Sequence, residues 1–182
     1  YIGFRPRFAQ IVQPLAQFLA AFPANLFFPV AVMLISTYGL TPDIWLSPLM
    51  ILGTQWYILF NVIAAASAFP NDLREAGRNL HVRGWLQWKR IILPGIFPYY
   101  LTGALNASGG AWNASIVSEV VSWGDVRYEA TGLGAYIANM TKAGDFAHTV
   151  LGVGVMALTV VLFNRFFWRP LYIMSAKKLR FD

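Results

Sequence analysis

Long apolar stretches separated by short polar segments run along the whole chain. Four of them stand out: Ala24–Leu40, Ser47–Phe69, about Gly95 to Val121, and Thr149–Trp168. Each approaches the roughly 20 residues with which a helix, rising about 1.5 Å per residue, crosses the hydrocarbon core of a membrane. A further segment, Phe8–Phe22, is too short to assign by itself. The pattern predicts an all-α, polytopic transmembrane bundle with about four to six spanning helices.

Composition supports a membrane protein and argues against several other classes. Hydrophobic residues make up 57% of the chain and charged residues 12%, about half the charged share of a soluble domain. The chain has no cysteine, and its two histidines, His81 and His148, lie far apart in sequence, so we expect no disulfide and no metal site. The net charge of +6 does not indicate nucleic-acid binding, because the basic residues flank apolar stretches.

The positions of lysine and arginine predict how the chain is oriented. Cytoplasmic loops are enriched in basic residues. The connection Ser122–Ala147 contains only two basic residues, Arg127 and Lys142. The N-terminal segment, the loop after the second span and the region around the end of the fourth span are therefore predicted to be cytoplasmic, as is the C-terminus. These regions hold 12 of the 14 basic residues: Arg5, Arg7, Arg74, Arg78, Arg83, Lys89, Arg90, Arg165, Arg169, Lys177, Lys178 and Arg180.

The loop Asn71–Pro94 is charged and amphipathic, and it predicts a helical hairpin at the membrane surface. Asp72 and Glu75 have the spacing of a capping box, which places a helix start near Leu73. A second short helix is expected after Gly84, and Pro94 suits the start of the next span. By periodicity alone, the segment could equally be an interfacial hairpin in which Glu75 only caps a helix and the tryptophans only anchor it.

The same loop carries the motif E-A-(x14)-I-x-L-P, and this motif resembles the cytoplasmic "EAA" loop of permeases in binding-protein-dependent ABC importers. Two positions depart from the family pattern: Gly77 replaces an alanine, and His81 replaces the glycine at the bend, a role that Gly84 is then expected to take over. The segment Phe22–Leu40 resembles a span of the same family, and the segments Gly95–Val121 and Thr131–Ile137 are similar to its nitrate/sulfonate/taurine-type branch. The chain is most similar to one half of a duplicated permease, so we expect it to be a fragment of a longer protein.

The resemblance implies a single permease domain over residues 1–182, with 71–94 as its coupling loop, in the bacterial cytoplasmic (inner) membrane. Its partners would be ABC ATPase subunits, a second permease half, an extracytoplasmic solute-binding protein and membrane lipid. ATP and Mg would bind the partner ATPase, since no G-x-x-x-x-G-K-[ST] motif occurs here; no cofactor is expected on this chain. The substrate would be a small anion of the nitrate, sulfonate, taurine or bicarbonate class. The residues implied in ATPase coupling are Glu75, Ala76, Gly77, Leu80, His81, Gly84, Ile91, Leu93 and Pro94.

The third apolar stretch is unusually polar, and polar groups at membrane depth usually face protein or water. It carries Asn106, Asn113, Ser115 and Glu119, which together with Asn61 of the second stretch are candidates for a translocation path. The alternative is that these side chains bond neighbouring helices. Glu119 is expected to pair with Arg127 near the outer end. Gly109 and Gly110 are expected to allow close helix packing.

Two other functional classes compete with an importer subunit. A secondary transporter or channel would call for ionisable relays inside the spans, and only Glu119 is available. A membrane enzyme would need a catalytic pair or a histidine cluster, and His81 and His148 provide neither. We therefore expect a permease without enzymatic activity of its own.

Overall fold

A computed structural model of the chain describes residues 2–4 and 6–179. Arg5 and Arg180, which entered the orientation prediction, lie outside the described residues. Short 3-10 turns cover Ile2–Phe4 and Ala24–Phe27, and π-helical turns cover Trp88–Ile92 and Asn164–Trp168. The helices are α1 (Pro6–Ala21), α2 (Phe28–Tyr38), α3 (Pro42–Trp45), α4 (Ser47–Ser67), α5 (Asn71–Asn79), α6 (Trp85–Gln87), α7 (Leu93–Ser118), α8 (Leu133–Ala143), α9 (Phe146–Phe163) and α10 (Arg169–Leu179), and the strands are β1 (Val120–Trp123) and β2 (Val126–Glu129).

Within the described ranges, two helical segments, Pro42–Ser67 and Phe146–Ser175, are long and apolar enough to cross a membrane. The pair α1 and α2, bent by 73°, adds a third if it counts as one span. Helix α7 has 26 residues, but its glycines and asparagines keep its mean hydropathy below that of the other spans. The predicted helical membrane bundle is confirmed, with fewer clearly apolar spans than the four expected.

The first predicted span, Ala24–Leu40, is divided beside its Pro29, and only the part from Phe28 onward is α-helical. Helix α2 has only 11 residues, and a 3-10 turn precedes it. Pro23 occupies the N-cap of that turn with an extended backbone. Proline lacks an amide donor and disfavours helical geometry in the residue before it, so the chain bends after α1 instead of continuing.

Helices α4 and α7 pack along each other as an antiparallel pair and form the centre of the molecule. Close approach is possible because Gly103 faces the backbone of α4, where an added Cβ would lie 2.8 Å from the Cα of Ile58. Gly110 faces the side chain of Tyr57, where an added Cβ would lie 3.1 Å from the ring. Small residues let two helices approach until their backbones nearly touch.

Two hydrophobic clusters hold the ends of this pair. One surrounds the start of α4 and includes Ile35, Leu46 and Val121. The other surrounds the end of α4 and includes Ala66, Phe69 and Ile96, with Trp88 and Ile91 packed against it. Because α4 rises about 1.5 Å per residue over its 21 residues, the clusters lie on opposite sides of the predicted membrane.

An antiparallel hairpin follows α7 and was not predicted from the sequence. Strands β1 and β2 pair Val120 with Glu129 and Trp123 with Val126. Gly124, with φ of 59°, provides the left-handed backbone needed in the tight turn. Val121 is fully buried beneath α2, so the apolar residues assigned to the end of the third span instead pack in the first cluster.

Candidate functional site

The loop Asn71–Pro94 folds as a hairpin whose second arm continues into α7. Helix α5 begins at Asn71, with Pro70 at its N-cap and Asp72 in its first turn. The capping box predicted for Asp72 and Glu75 is therefore wrong; Asp72 interacts favourably with the positive end of the helix dipole instead. From α6, the chain passes through the π-helical turn into α7, where Pro94 occupies the first turn.

The bend after α5 is made by His81, which adopts a left-handed backbone with φ of 55°. Its amide donates to the Arg78 carbonyl at 3.0 Å, and the Val82 amide donates to the Gly77 carbonyl at 2.9 Å. This is the hydrogen-bond pattern of a Schellman motif, in which glycine usually occupies the left-handed position. His81 thus adopts the left-handed conformation itself, and the expectation that Gly84 would take over this bend is wrong. Gly84, with φ of 62°, makes a second turn before α6.

The two ends of the signature meet inside the hairpin. Gly77 is buried, and a Cβ added there would lie 2.7 Å from Cδ1 of Ile91. Ile91 in turn packs against the cluster at the end of α4. The glycine at the third signature position therefore allows α5 to lie close to the start of α7.

Arg74 attaches the hairpin to α4, a role that sequence reasoning missed. Its Nη2 donates to the Ala66 carbonyl at 3.2 Å, at the end of α4. Its guanidinium lies 4.7 Å from the centre of the Phe4 ring and 5.8 Å from that of Phe69. These contacts combine a charge-assisted hydrogen bond with cation–π attraction. The only sequence signal was a basic residue beside an aromatic Phe-Pro boundary.

The remaining signature residues face outward from the hairpin. Leu80 and Trp85 are each 74% exposed, and they flank the turn at His81. Pro94 is partly buried. The arrangement presents acidic, basic and apolar side chains on a hairpin whose other side is packed onto α4 and α7. The signature positions that are exposed are Glu75, Ala76, Leu80, His81, Gly84 and Leu93.

The polar residues of α7 lie on different faces. Asn106, Gly109, Asn113 and Val117 are exposed and follow each other at helical spacing. Ser115 is buried and donates to the Trp112 carbonyl at 2.9 Å. Gly110 faces α4, where it allows the close packing expected of it. We refer to Asn106, Gly109, Asn113 and Val117 as the α7 stripe.

Asn61 and Gly109 differ from their predicted surroundings. Asn61 donates to the Tyr57 carbonyl at 2.7 Å, and its Cβ borders the packing contact at Gly103. Gly109, expected to pack closely, has no atom of the described residues within 4 Å of an added Cβ. The helical register points it away from α4, onto the α7 stripe.

Glu119 ends α7 and caps α8. Its Oε2 accepts a hydrogen bond from the Ala135 amide at 2.8 Å, and its carbonyl accepts one from the Ala130 amide at 2.8 Å. Gly132 leaves the space that the carboxylate occupies. A carboxylate at a helix start is stabilised by the free amides and the dipole there. The expected pairing with Arg127 is wrong, since Arg127 instead bonds Glu129 at 3.2 Å.

Two further carboxylates form stabilising hydrogen bonds at the same end of the molecule as Glu119. Asp43, in the connection between α2 and α4, accepts a hydrogen bond from the Thr131 amide at 2.6 Å. Asp145 caps α9, accepting from the His148 amide at 3.1 Å and contacting His148 Nδ1 at 2.7 Å. The bond from the His148 amide is the main reason that the pKa of Asp145 is held below its usual 3.8. Among residues 2–4 and 6–179, no group of three His, Cys, Asp or Glu side chains could hold a metal ion.

Comparison with known proteins agrees with the resemblance found at Glu75–Pro94. The chain matches the family described as "Binding-protein-dependent transport system inner membrane component" over residues 1–168. It is 25% identical over 165 residues to the bicarbonate transport system permease protein CmpB of Synechococcus elongatus, covering 91% of this chain and 56% of that protein. It is 25% identical over 109 residues to the nitrate import permease protein NrtB of Leptolyngbya laminosa, covering 60% of this chain and 37% of that protein.

The chain spans about half the length of the curated relatives it matches. The family match, by contrast, covers nearly all of this chain and includes both the hairpin and the polar helix α7. The nitrate- and bicarbonate-type branch predicted from the sequence is the one to which these relatives belong. This chain therefore belongs to the family of binding-protein-dependent transport system inner membrane components.

Proposed function

We propose that this chain is the permease part of an ATP-driven importer for a small inorganic anion. The observation that carries the proposal is the hairpin Asn71–Pro94, which is fixed to the spans on one side and exposes Glu75, Leu80 and Trp85 on the other. A surface of this kind suits docking of a cytoplasmic ATPase, with ATP and Mg bound on that partner. The chain itself would carry no enzymatic activity.

The contacts of the hairpin connect it to two helices, so that a movement of the hairpin is transmitted to both. Gly77 contacts Ile91, and Arg74 bonds the end of α4, so a displacement of α5 acts on both α4 and α7. The second arm runs through the π-helical turn into α7. Transport would then alternate between inward-open and outward-open arrangements as the ATPase subunits close and open.

The substrate class is inferred from the relatives named for bicarbonate and nitrate import. The exposed residues of the α7 stripe are two asparagines, a glycine and a valine, so its polar groups are amides. Such groups can bind an anion weakly, as passage through a transporter requires. An extracytoplasmic solute-binding protein would deliver the anion, and a second permease half would close the path against the α7 stripe.

In the proposed orientation, the hairpin and the C-terminus are cytoplasmic in a bacterial inner membrane. The basic residues Arg74, Arg78, Lys89 and Arg90 lie on or beside the hairpin, whereas in the connection Ser122–Ala147 the two basic residues Arg127 and Lys142 are balanced by Asp125, Glu129 and Asp145. The positive-inside tendency supports this arrangement.

The test is charge reversal at Glu75 in the complete importer, reconstituted in lipid vesicles. Glu75→Lys is expected to lose the ATPase on purification, or to hydrolyse ATP without uptake, because the charge at this position of the docking surface is reversed. Asp125→Lys makes the same change in charge at the exposed hairpin turn on the other side and is the matched control, expected to keep the ATPase bound. Normal ATP-driven uptake by Glu75→Lys would overturn the proposal.

A further inference from the structure

The α7 stripe leads to a cavity at the outer end of the helix. Val117, the last residue of the stripe, lines a cavity of about 380 Å³ between α7, the hairpin of β1 and β2, and α8. Phe28, Ile116 and Val120 form its apolar floor. The cavity is thus continuous with the one exposed face of α7 that carries amide side chains.

Both basic residues of the outer connection line this same cavity. Arg127 lies on β2 and Lys142 near the end of α8, and the connection Ser122–Ala147 holds no other lysine or arginine. The hairpin and α8 bring together two charges that are well separated in sequence. Ser122 and Asn139 complete the polar part of the lining.

Arg127 is held in place by one end of its guanidinium group. Nη2 contacts Glu129 Oε2 at 3.2 Å and also contacts Oδ1 of Asn139, while Asn139 Nδ2 donates to Glu129 Oε1 at 2.6 Å. Among the described residues, these bonds use only Nη2, so Nε and Nη1 remain as donors. Both two-pronged edges of a guanidinium include Nη2, so Nε and Nη1 are left to donate single, charge-assisted hydrogen bonds to an anion.

The charge balance of the cavity suits an anion that binds briefly on its way through, and not one that is held tightly. Glu129 offsets one of the two positive charges, and Lys142 is exposed. The apolar floor lowers the local dielectric and strengthens the attraction of the remaining charge for an anion. A site on a transport path must bind strongly enough to receive an ion and weakly enough to release it.

We propose that this cavity is an outer vestibule in which Arg127, Lys142 and Ser122 receive a monovalent oxyanion before it passes along the α7 stripe. The inference rests on the proposed import function. It adds the place where the anion first meets the permease and the groups that select for its charge. Asn139 and Glu129 act as positioning residues that orient Arg127.

The first test measures bicarbonate and nitrate uptake by the reconstituted importer at saturating solute-binding protein. Lys142→Gln and Arg127→Gln are each expected to reduce the anions transported per ATP hydrolysed by about ten-fold, because charges lining a cleft raise local ion concentration by that order. The concentration of binding protein that half-saturates ATPase stimulation should stay unchanged. Lys177→Gln, which removes an exposed charge near the C-terminus, is the control and should transport normally.

The outcomes separate the two proposals. An unmodified importer that moves neither anion contradicts the proposed function. An active importer in which both variants keep their transport-to-ATP ratio overturns the vestibule. A variant that shifts only the half-saturating concentration of binding protein also overturns it, since the basic residues would then serve docking.

A second test needs no transport and covers the case in which Arg127→Gln misfolds. Ser122→Cys in this cysteine-free chain should react several-fold faster with an anionic thiol reagent than with a cationic one of the same size. Nitrate should slow that reaction, and Lys142→Gln should reduce the preference. Equal rates for both reagents with Arg127 and Lys142 present would contradict an anion-receiving site.

Discussion

Gly134 lies directly against the backbone of Ser115, so that α8 and α7 touch main chain to main chain. A Cβ at position 134 would lie 2.7 Å from the amide nitrogen of Ile116 and would overlap the Ser115 carbonyl group. At Gly77 the obstructing atom is the flexible end of Ile91, whereas here it is backbone. The contact fixes α8 beside Glu119, whose carboxylate caps the same helix.

Gly134→Ala is therefore expected to destabilise the protein by about 1 to 3 kcal/mol, because overpacking forces backbone shifts. The measurement is the thermal unfolding midpoint of the detergent-solubilised protein. Gly154→Ala is the control, since no described atom lies within 4 Å of a Cβ added there. Equal midpoints for the two variants would show that α8 does not pack on α7 as described.

His81→Gly is expected to stabilise the hairpin by about 1 kcal/mol, because the left-handed backbone of His81 is unfavourable for a residue with a Cβ. Thermal unfolding of the purified protein measures the gain. His81→Ala keeps the Cβ and should give no such increase. If alanine stabilised as much as glycine, the effect would arise from the lost imidazole and not from the backbone.

Asn113 and Ser115 are expected to behave differently when each is replaced by cysteine. Asn113 is exposed on the α7 stripe, and Ser115 is buried against α8. A small polar thiol reagent should label position 113 and leave position 115 unlabelled in the assembled importer. Labelling only at position 115 would place the water-accessible face of α7 on its other side.

Acid should weaken the start of α9 through Asp145. Its folded-state pKa lies below the usual 3.8, so its stabilising effect is fully present above about pH 4 and is lost as the pH falls through the lowered value. Asp145→Asn retains a good N-cap residue without titrating. The difference in unfolding midpoint between wild type and Asp145→Asn should therefore shrink as the pH falls below about 4. A difference that does not change with pH would contradict this role.

The orientation can be measured with single cysteines at Asn79 and Ala143, both of which are exposed. In sealed cells, an impermeant reagent applied outside should label Ala143→Cys, because α8 is proposed to lie outside. Asn79→Cys should react only after the membrane is opened. The reverse pattern would invert the proposed topology.

Much of this structure could be predicted from the order of residues because local physics dictates it. A run such as Ser47–Phe69, without charge, has to satisfy its backbone as a helix in a membrane, and α4 does so. Pro70 and the charges after it end that helix and begin the surface hairpin. The motif from Glu75 to Pro94 predicted the family, which the comparison confirmed.

Other features depended on contacts between residues far apart in sequence. The hairpin at Val120–Glu129 forms because Val121 is buried under α2, which no local pattern indicated. Glu119 caps α8 instead of pairing with Arg127, since two glycines allow α8 to approach the end of α7. The meeting of Arg127 and Lys142 in one cavity likewise follows from how the hairpin and α8 pack.

The sequence by itself determined that this is a helical membrane protein with a surface hairpin of the importer type, because hydrophobicity, charge and the signature motif are properties of neighbouring residues. Only the tertiary structure decided which polar groups of α7 are exposed and which are packed. The sequence of α7 contains the residues of all its faces and does not show which face is covered. The face that remains exposed depends on where α4 and α8 pack against it.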